Sequence, residues 1–192
     1  EIVKEGKWDD PSVLEVAKAY EDFAKKGYFS EQIASNVWPA GQNQELALGT
    51  AAIYLNGSWL PNEVKDITGE DFNWGCFSYP AVKDGKDGVE ASNYGAQVFA
   101  INKKSTKAED AFKLIQFFTK GKYDEKLSQE SLGIPADSEN KEWPKQLASV
   151  KPVMEELKIR YPWAASAEDN VDMTPILKEN FMKLCGGSIS AE

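Results

Sequence analysis

Asn56-Gly57-Ser58-Trp59-Leu60-Pro61 places a carboxamide, a hydroxyl and an indole together at one glycine turn. The apolar run at 50–55 before it reads as a short buried strand, and Ser58 stands where it would cap a helix beginning at Trp59. Strand-to-helix junctions are where open α/β sheets hold ligands, because free backbone N–H groups and first-turn side chains face the crevice. The chemistry on offer is recognition: a flat apolar ring with polar groups beside it. Each residue also has a structural reading, Trp59 as core and Asn56 or Ser58 as helix caps.

Covalent and metal chemistry have less to work with. The sequence contains no histidine, which removes Ser-His-Asp and Cys-His catalysis, imidazole zinc sites and histidine acid-base chemistry from this chain. Cys76 and Cys185 lack the spacing of a zinc or redox site. Both are expected to be buried and unpaired, although a location outside the cell would permit a bridge. No metal site and no cofactor are expected. Among enzymes this leaves a carboxylate-based glycosidase, which needs two carboxyl groups facing each other across a sugar, one with a raised pKa. Glu21-Asp22, Glu70-Asp71 and Glu168-Asp169 look instead like helix faces and loops, so enzyme activity is the rival reading and no catalytic residue is assigned. An acidic protein-interaction domain is a third.

Against 31 acidic residues stand 22 basic ones, a formal net charge of -9, with the basic residues scattered rather than gathered into a stripe. That excludes the clustered Lys and Arg on which phosphate-backbone binding depends, so no nucleic-acid partner is expected. No stretch approaches the roughly 20 consecutive apolar residues of a membrane helix. At 42% hydrophobic over 192 residues, the chain has material for a real core.

The elements that must position the turn follow from periodicity. Asp9 and Asp10 can cap a helix over 11–26, with Pro11 in its first turn and Val13, Leu14, Val16, Ala17, Tyr20, Phe23 and Ala24 at helical spacing. A short helix is expected over 43–48, then strands at 50–55, 72–77 and 93–101. The loop at 83–88 reads as a solvated surface turn. Ser105 and Thr106 introduce an amphipathic helix whose buried stripe is Ala108, Ala111, Phe112, Leu114, Ile115 and Phe118, stopped by Gly121. Further helices are expected over 123–130, 144–158 and 175–184, with an apolar corner at Leu132-Gly133-Ile134-Pro135 and an aromatic interruption at Tyr161-Pro162-Trp163. Trp38, Trp74 and Trp143 read as structural. A strand followed by a packed helix indicates a layered α/β body.

Five segments, in order, carry a family resemblance. Gly49-Thr50-Ala51-Ala52-Ile53-Tyr54-Leu55-Asn56-Gly57-Ser58-Trp59 resembles the "GxAAMxxxGxW" segment of family 1 extracellular solute-binding proteins, the maltose-binding-protein-like group, with Ile53 where methionine is commoner. Tyr79-Pro80 resembles that family's "LP" step, and residues 100–105 its strand and helix cap. Residues 111–118 resemble its "AxxFxxFL" helix, and Gly133-Ile134-Pro135-Ala136 its proline corner.

The resemblance implies an α/β fold of the type II periplasmic-binding-protein kind, with a mostly helical lobe, a short mixed sheet and an incomplete second lobe. It divides the chain into 1–88, part of the C-terminal lobe; 89–132, a strand-helix segment that would complete the N-terminal lobe; and 133–192, C-terminal lobe helices. On this basis the chain looks like the C-terminal half of a longer protein, ending inside a final helix at 188–192. The implied function is the non-enzymatic, substrate-binding part of an ABC importer, which takes a sugar or oligosaccharide in an interlobe cleft and delivers it to permease subunits. The implied location is extracellular or periplasmic, with membrane attachment only through a lipid anchor that this chain does not carry. Trp59 matches the family's stacking tryptophan, with Asn56 and Ser58 beside it. The resemblance adds Tyr94 and Gly95 on a crossing strand, and Trp163 in a loop that approaches the ligand. For Tyr94 an ordinary strand position, and for Trp163 a cover over core, remain the alternatives.

Overall fold

The computed structural model describes residues 7–81, 83, 85, 87–162 and 173–192. The chain divides into two compact units: Glu1–Ala52 with Ser78–Tyr94 and Leu157–Glu192, and Ile53–Phe77 with Gly95–Glu156.

In the first unit, helix α1 (Pro11–Lys25) starts as its sequence dictates. Pro11 needs no hydrogen-bond partner in the first turn, and the Asp10 carboxylate accepts from the Ser12 N–H at 2.9 Å. Its half-buried face packs against helix α7 (Met173–Cys185). Phe29 and Phe181 flank the Tyr20 ring, with centroids at 5.8 and 4.5 Å, and the Tyr20 and Tyr79 hydroxyls are hydrogen-bonded at 3.0 Å. Helix α2 (Ala40–Ala47) begins three residues ahead of the expected start and buries Asn43 and Ala47. Strands β1 (Ala91–Tyr94) and β2 (Ile159–Pro162) pair in parallel. At the end of α7, Gly187 takes a φ of 72°, which lets the Ser188 N–H reach back to the Lys183 carbonyl at 2.9 Å. The helix therefore stops there, and 188–192 do not continue it as expected.

Burial, reinforced by the Tyr79 hydroxyl, pushes the Tyr20 pKa above the ordinary tyrosine value. A tyrosine kept protonated by the fold contributes its full stability below pH ~10 and loses it as pH rises through the folded value, since the unfolded chain ionises first. Alkaline unfolding of the wild type should set in above pH ~10, and Tyr20→Phe should flatten that limb. An alkaline limb equally steep in the variant would remove Tyr20 as its cause.

In the second unit, α3 (Leu60–Thr68) buries Leu60, Pro61 and Val64. Helices α4 (Ala108–Phe118) and α5 (Gly121–Ser131) pack against each other, with the Phe117 and Tyr123 rings 3.8 Å apart. A 3-10 turn (Lys145–Leu147) and α6 (Val150–Glu156) complete the unit. The single helix expected over 144–158 is broken for a stated reason. The Pro152 ring clashes with a helical carbonyl four residues back, at Ala148, so α6 must begin after it. Gly121 opens α5 rather than stopping α4.

Three expectations about the sheet are corrected. Among the described residues it is two-stranded and parallel, not mixed. Residues 50–55 and 72–77 form no strand, and of 93–101 only the start lies in β1. Alternation sets which face a strand would bury, but a ladder also needs a neighbouring backbone. The Thr50 and Ala51 N–H groups turn back to the Glu45 carbonyl, at 2.9 and 3.0 Å, leaving Ile53 and Leu55 exposed. The stripe of α4 is likewise not buried: Phe112, Leu114 and Phe118 are exposed. Trp38, read as structural, is 67% exposed, and Cys76 is exposed rather than buried. Cys185 is buried as expected, and both thiols are free.

Candidate functional site

The turn at 56–59 is built from its own residues. The Asn56 Oδ1 accepts from the Gly57 N–H at 2.7 Å, which fixes the bend. Trp59 is the N-cap residue of α3, and no side chain caps that helix. The capping readings of Ser58 and Asn56 are therefore corrected: Ser58 lies in the turn ahead of the N-cap, and Asn56 bonds its neighbour. Trp59 is 39% exposed, so the core reading does not hold for the whole side chain.

The indole folds back over Gly57. A Cβ on that residue would sit 2.1 Å from the Trp59 ring, far inside contact distance. Glycine is what lets the ring lie against the turn. Gly57→Ala is expected to drive the indole off the turn, so that the Trp59 indole N–H signal moves further in a nitrogen-proton NMR spectrum than those of the other tryptophans. A Trp59 signal left in place would show that the glycine plays no part in seating the ring.

Tyr94 and Gly95 fall on either side of the division between units, with Tyr94 ending β1 and Gly95 exposed in the segment after it. The Tyr94 ring is 43% exposed and carries the Arg160 guanidinium at 5.2 Å from its centroid. Trp163 lies outside the described residues. The structure thus brings Asn56, Ser58 and Trp59 together in one turn, and it places Tyr94 in the other unit. Sequence reading passed over Arg160, although a signal was present: it is the sole arginine among 22 basic residues.

The described residues include no group of three or more acidic or cysteine side chains that could hold a metal ion, and no helix long and apolar enough to cross a membrane.

Residues 3–151 match the model of a family described as bacterial extracellular solute-binding protein, a match over most of the chain. The chain belongs to this family. Membership makes this solute-binding protein a substrate-binding component of an ABC transporter. Its partners are a small-molecule ligand and permease subunits, and its location is extracellular or periplasmic. The family is generally non-enzymatic. The mostly helical body and short parallel sheet are consistent with a partial lobe of such a protein. No curated protein and no solved structure matches the chain.

Proposed function

We propose that this solute-binding protein binds a sugar or oligosaccharide, with Trp59 as its stacking platform, and hands it to the permease. The observation that carries the reading is the half-exposed indole held over Gly57 at the start of α3. A pyranose offers one face of C–H groups to such a ring, and its hydroxyls need fixed donors and acceptors nearby. The Asn56 amide keeps its NH2 group for this purpose, since its oxygen is the atom used on Gly57. Among the described residues the Ser58 hydroxyl has no partner and serves the same end. In this reading Tyr94, Gly95 and Trp163 add contacts from other segments, no residue is catalytic, and the protein turns nothing over. The order of the matched motifs supports assigning them to a C-terminal half divided at 1–88, 89–132 and 133–192. A lipid anchor carried elsewhere would hold the whole protein at the cell surface.

Titration calorimetry of the chain with a panel of mono- and oligosaccharides tests the reading. Saturable heat with one sugar, no reducing ends released over hours, and a 10- to 100-fold weakening in Trp59→Ala are expected, since losing an aromatic stacking face costs about 1.4–2.7 kcal/mol. Steady hydrolysis would favour a glycosidase. Silence across the panel would leave a protein-interaction role.

A further inference from the structure

The register of the β1–β2 pair sorts its side chains onto two faces. Ser92 is opposite Arg160 and Tyr94 opposite Pro162, while Asn93 is opposite Tyr161. Successive residues alternate sides, so Ser92, Tyr94 and Arg160 share one face and Tyr161 belongs to the other. Arg160 lies one diagonal step from Tyr94, which is how its guanidinium comes to rest 5.2 Å from the ring centroid.

The guanidinium is exposed, and among the described residues it makes no ion pair. Among the described residues most lysines likewise make no ion pair, Lys18, Lys25, Lys26 and Lys183 being exceptions, and Lys122 and Lys151 also lie over aromatic rings, so what sets Arg160 apart is its guanidinium. The Asp87 carboxylate is held by the Tyr161 hydroxyl, from the face that Arg160 does not share. Among the described residues the cation is therefore partnered by an aromatic ring and by no acid.

Such an arrangement leaves a specific set of groups open. A guanidinium lying against a ring is steadied by the ring quadrupole and shielded from water on that side, yet its in-plane N–H donors remain directed outward. Those donors match the two oxygens of a carboxylate, a fit that a lysine ammonium does not reproduce. Every other basic residue of the chain is lysine. The net charge of -9 does not forbid an anion here, because charges beyond about 8 Å are screened at physiological salt while a bidentate contact is not.

We infer that Arg160, backed by the Tyr94 ring, recognises a carboxylate on the solute, so that the sugar taken up is a sugar acid rather than a neutral sugar. The inference rests on the reading of Tyr94 as part of the solute site, and it names the class of solute that site takes. It also assigns Tyr94 a different part from the one expected: one face of its ring supports the arginine and is closed to a sugar.

Calorimetry with galacturonate oligosaccharides, their methyl esters and the neutral panel tests it, since the ester removes the charge and little else. The acids should bind at least tenfold more tightly than the esters. Arg160→Gln should abolish that preference and Arg160→Lys most of it, with thermal midpoints unchanged. Equal affinity for acid and ester, or a preference that survives Arg160→Gln, overturns the inference and leaves the sugar-binding reading standing, as does binding of neutral sugars alone. No heat with any of the ligands overturns both.

Discussion

Asp124→Ala should cost about 4 kcal/mol of unfolding free energy, the largest loss expected from any single substitution in the second unit. The Asp124 carboxylate is 3% exposed and accepts hydrogen bonds from the Ala136 N–H at 2.9 Å, the Asp137 N–H at 3.0 Å and the Asn140 side chain at 2.7 Å. Hydrogen bonds to a charged group are worth about 1.5–3 kcal/mol each and do not add fully, and removal of the acceptor also strands the donors. Asn140 additionally donates to the Gly121 carbonyl at 3.1 Å, so the same contacts tie the start of α5 to the segment at 136–140. Urea unfolding should show a lower midpoint at unchanged slope, and the Ala136 and Asp137 amides should exchange faster with solvent. Asp124→Asn should recover part of the loss, because one oxygen remains to accept. A cost within 1 kcal/mol for the alanine variant would mean that water replaces the carboxylate and that the segment stands without it.

Leu147→Ala is expected to cost about 3 kcal/mol. The leucine has 0% of its surface exposed and, with Val64 and Pro144, is among the most completely buried side chains of the described chain. It sits in the 3-10 turn (Lys145–Leu147), where the Leu147 N–H reaches the Pro144 carbonyl at 2.9 Å. A short turn of this kind has little propensity of its own, so side-chain burial is what fixes it. Leu147→Met keeps most of the volume and should cost less than about 1.5 kcal/mol. Chemical denaturation of the two variants side by side checks the claim, and equal stability would show that the site collapses around the missing atoms.

The helices were the legible part of the fold. Asp10 and Pro11 announce α1, its apolar spacing gives the half-buried face except at Phe23, which is exposed, and Gly186-Gly187 mark the end of α7 to within a residue. These signals are local: a cap or a stop acts on its own turn. The strands were legible only as alternation or, from Thr50 to Leu55, as an apolar run. Whether that run joins a ladder depends on a partner that no local pattern specifies, and its first amides are claimed by Glu45. The same gap explains α4, whose stripe was read correctly as apolar and wrongly as buried. At Leu132 the sequence suggested that proline fixes the corner. The structure adds a left-handed Leu132 at φ 48°, held by the Gly133 N–H on the Ser128 carbonyl and the Ser128 hydroxyl on the Gly133 carbonyl. At the candidate site, the residue types of the 56–59 turn were visible from the start. That Gly57 makes room for the indole was not, since it depends on how the chain folds back on itself. The rarity of Arg160 is countable in the sequence, but the Tyr94 ring beside it follows only from the β1–β2 register.

The two units are each assembled from separate stretches of chain, with crossings after Ala52, Phe77, Tyr94 and Glu156. A single cut by a protease therefore liberates neither as an intact piece, and no pair of cloning boundaries isolates the first. A gene segment covering 53–156 would carry 78–94 as an orphaned insert, including β1 deprived of the strand it pairs with. Dissecting this protein calls for circular permutation or designed linkers rather than truncation.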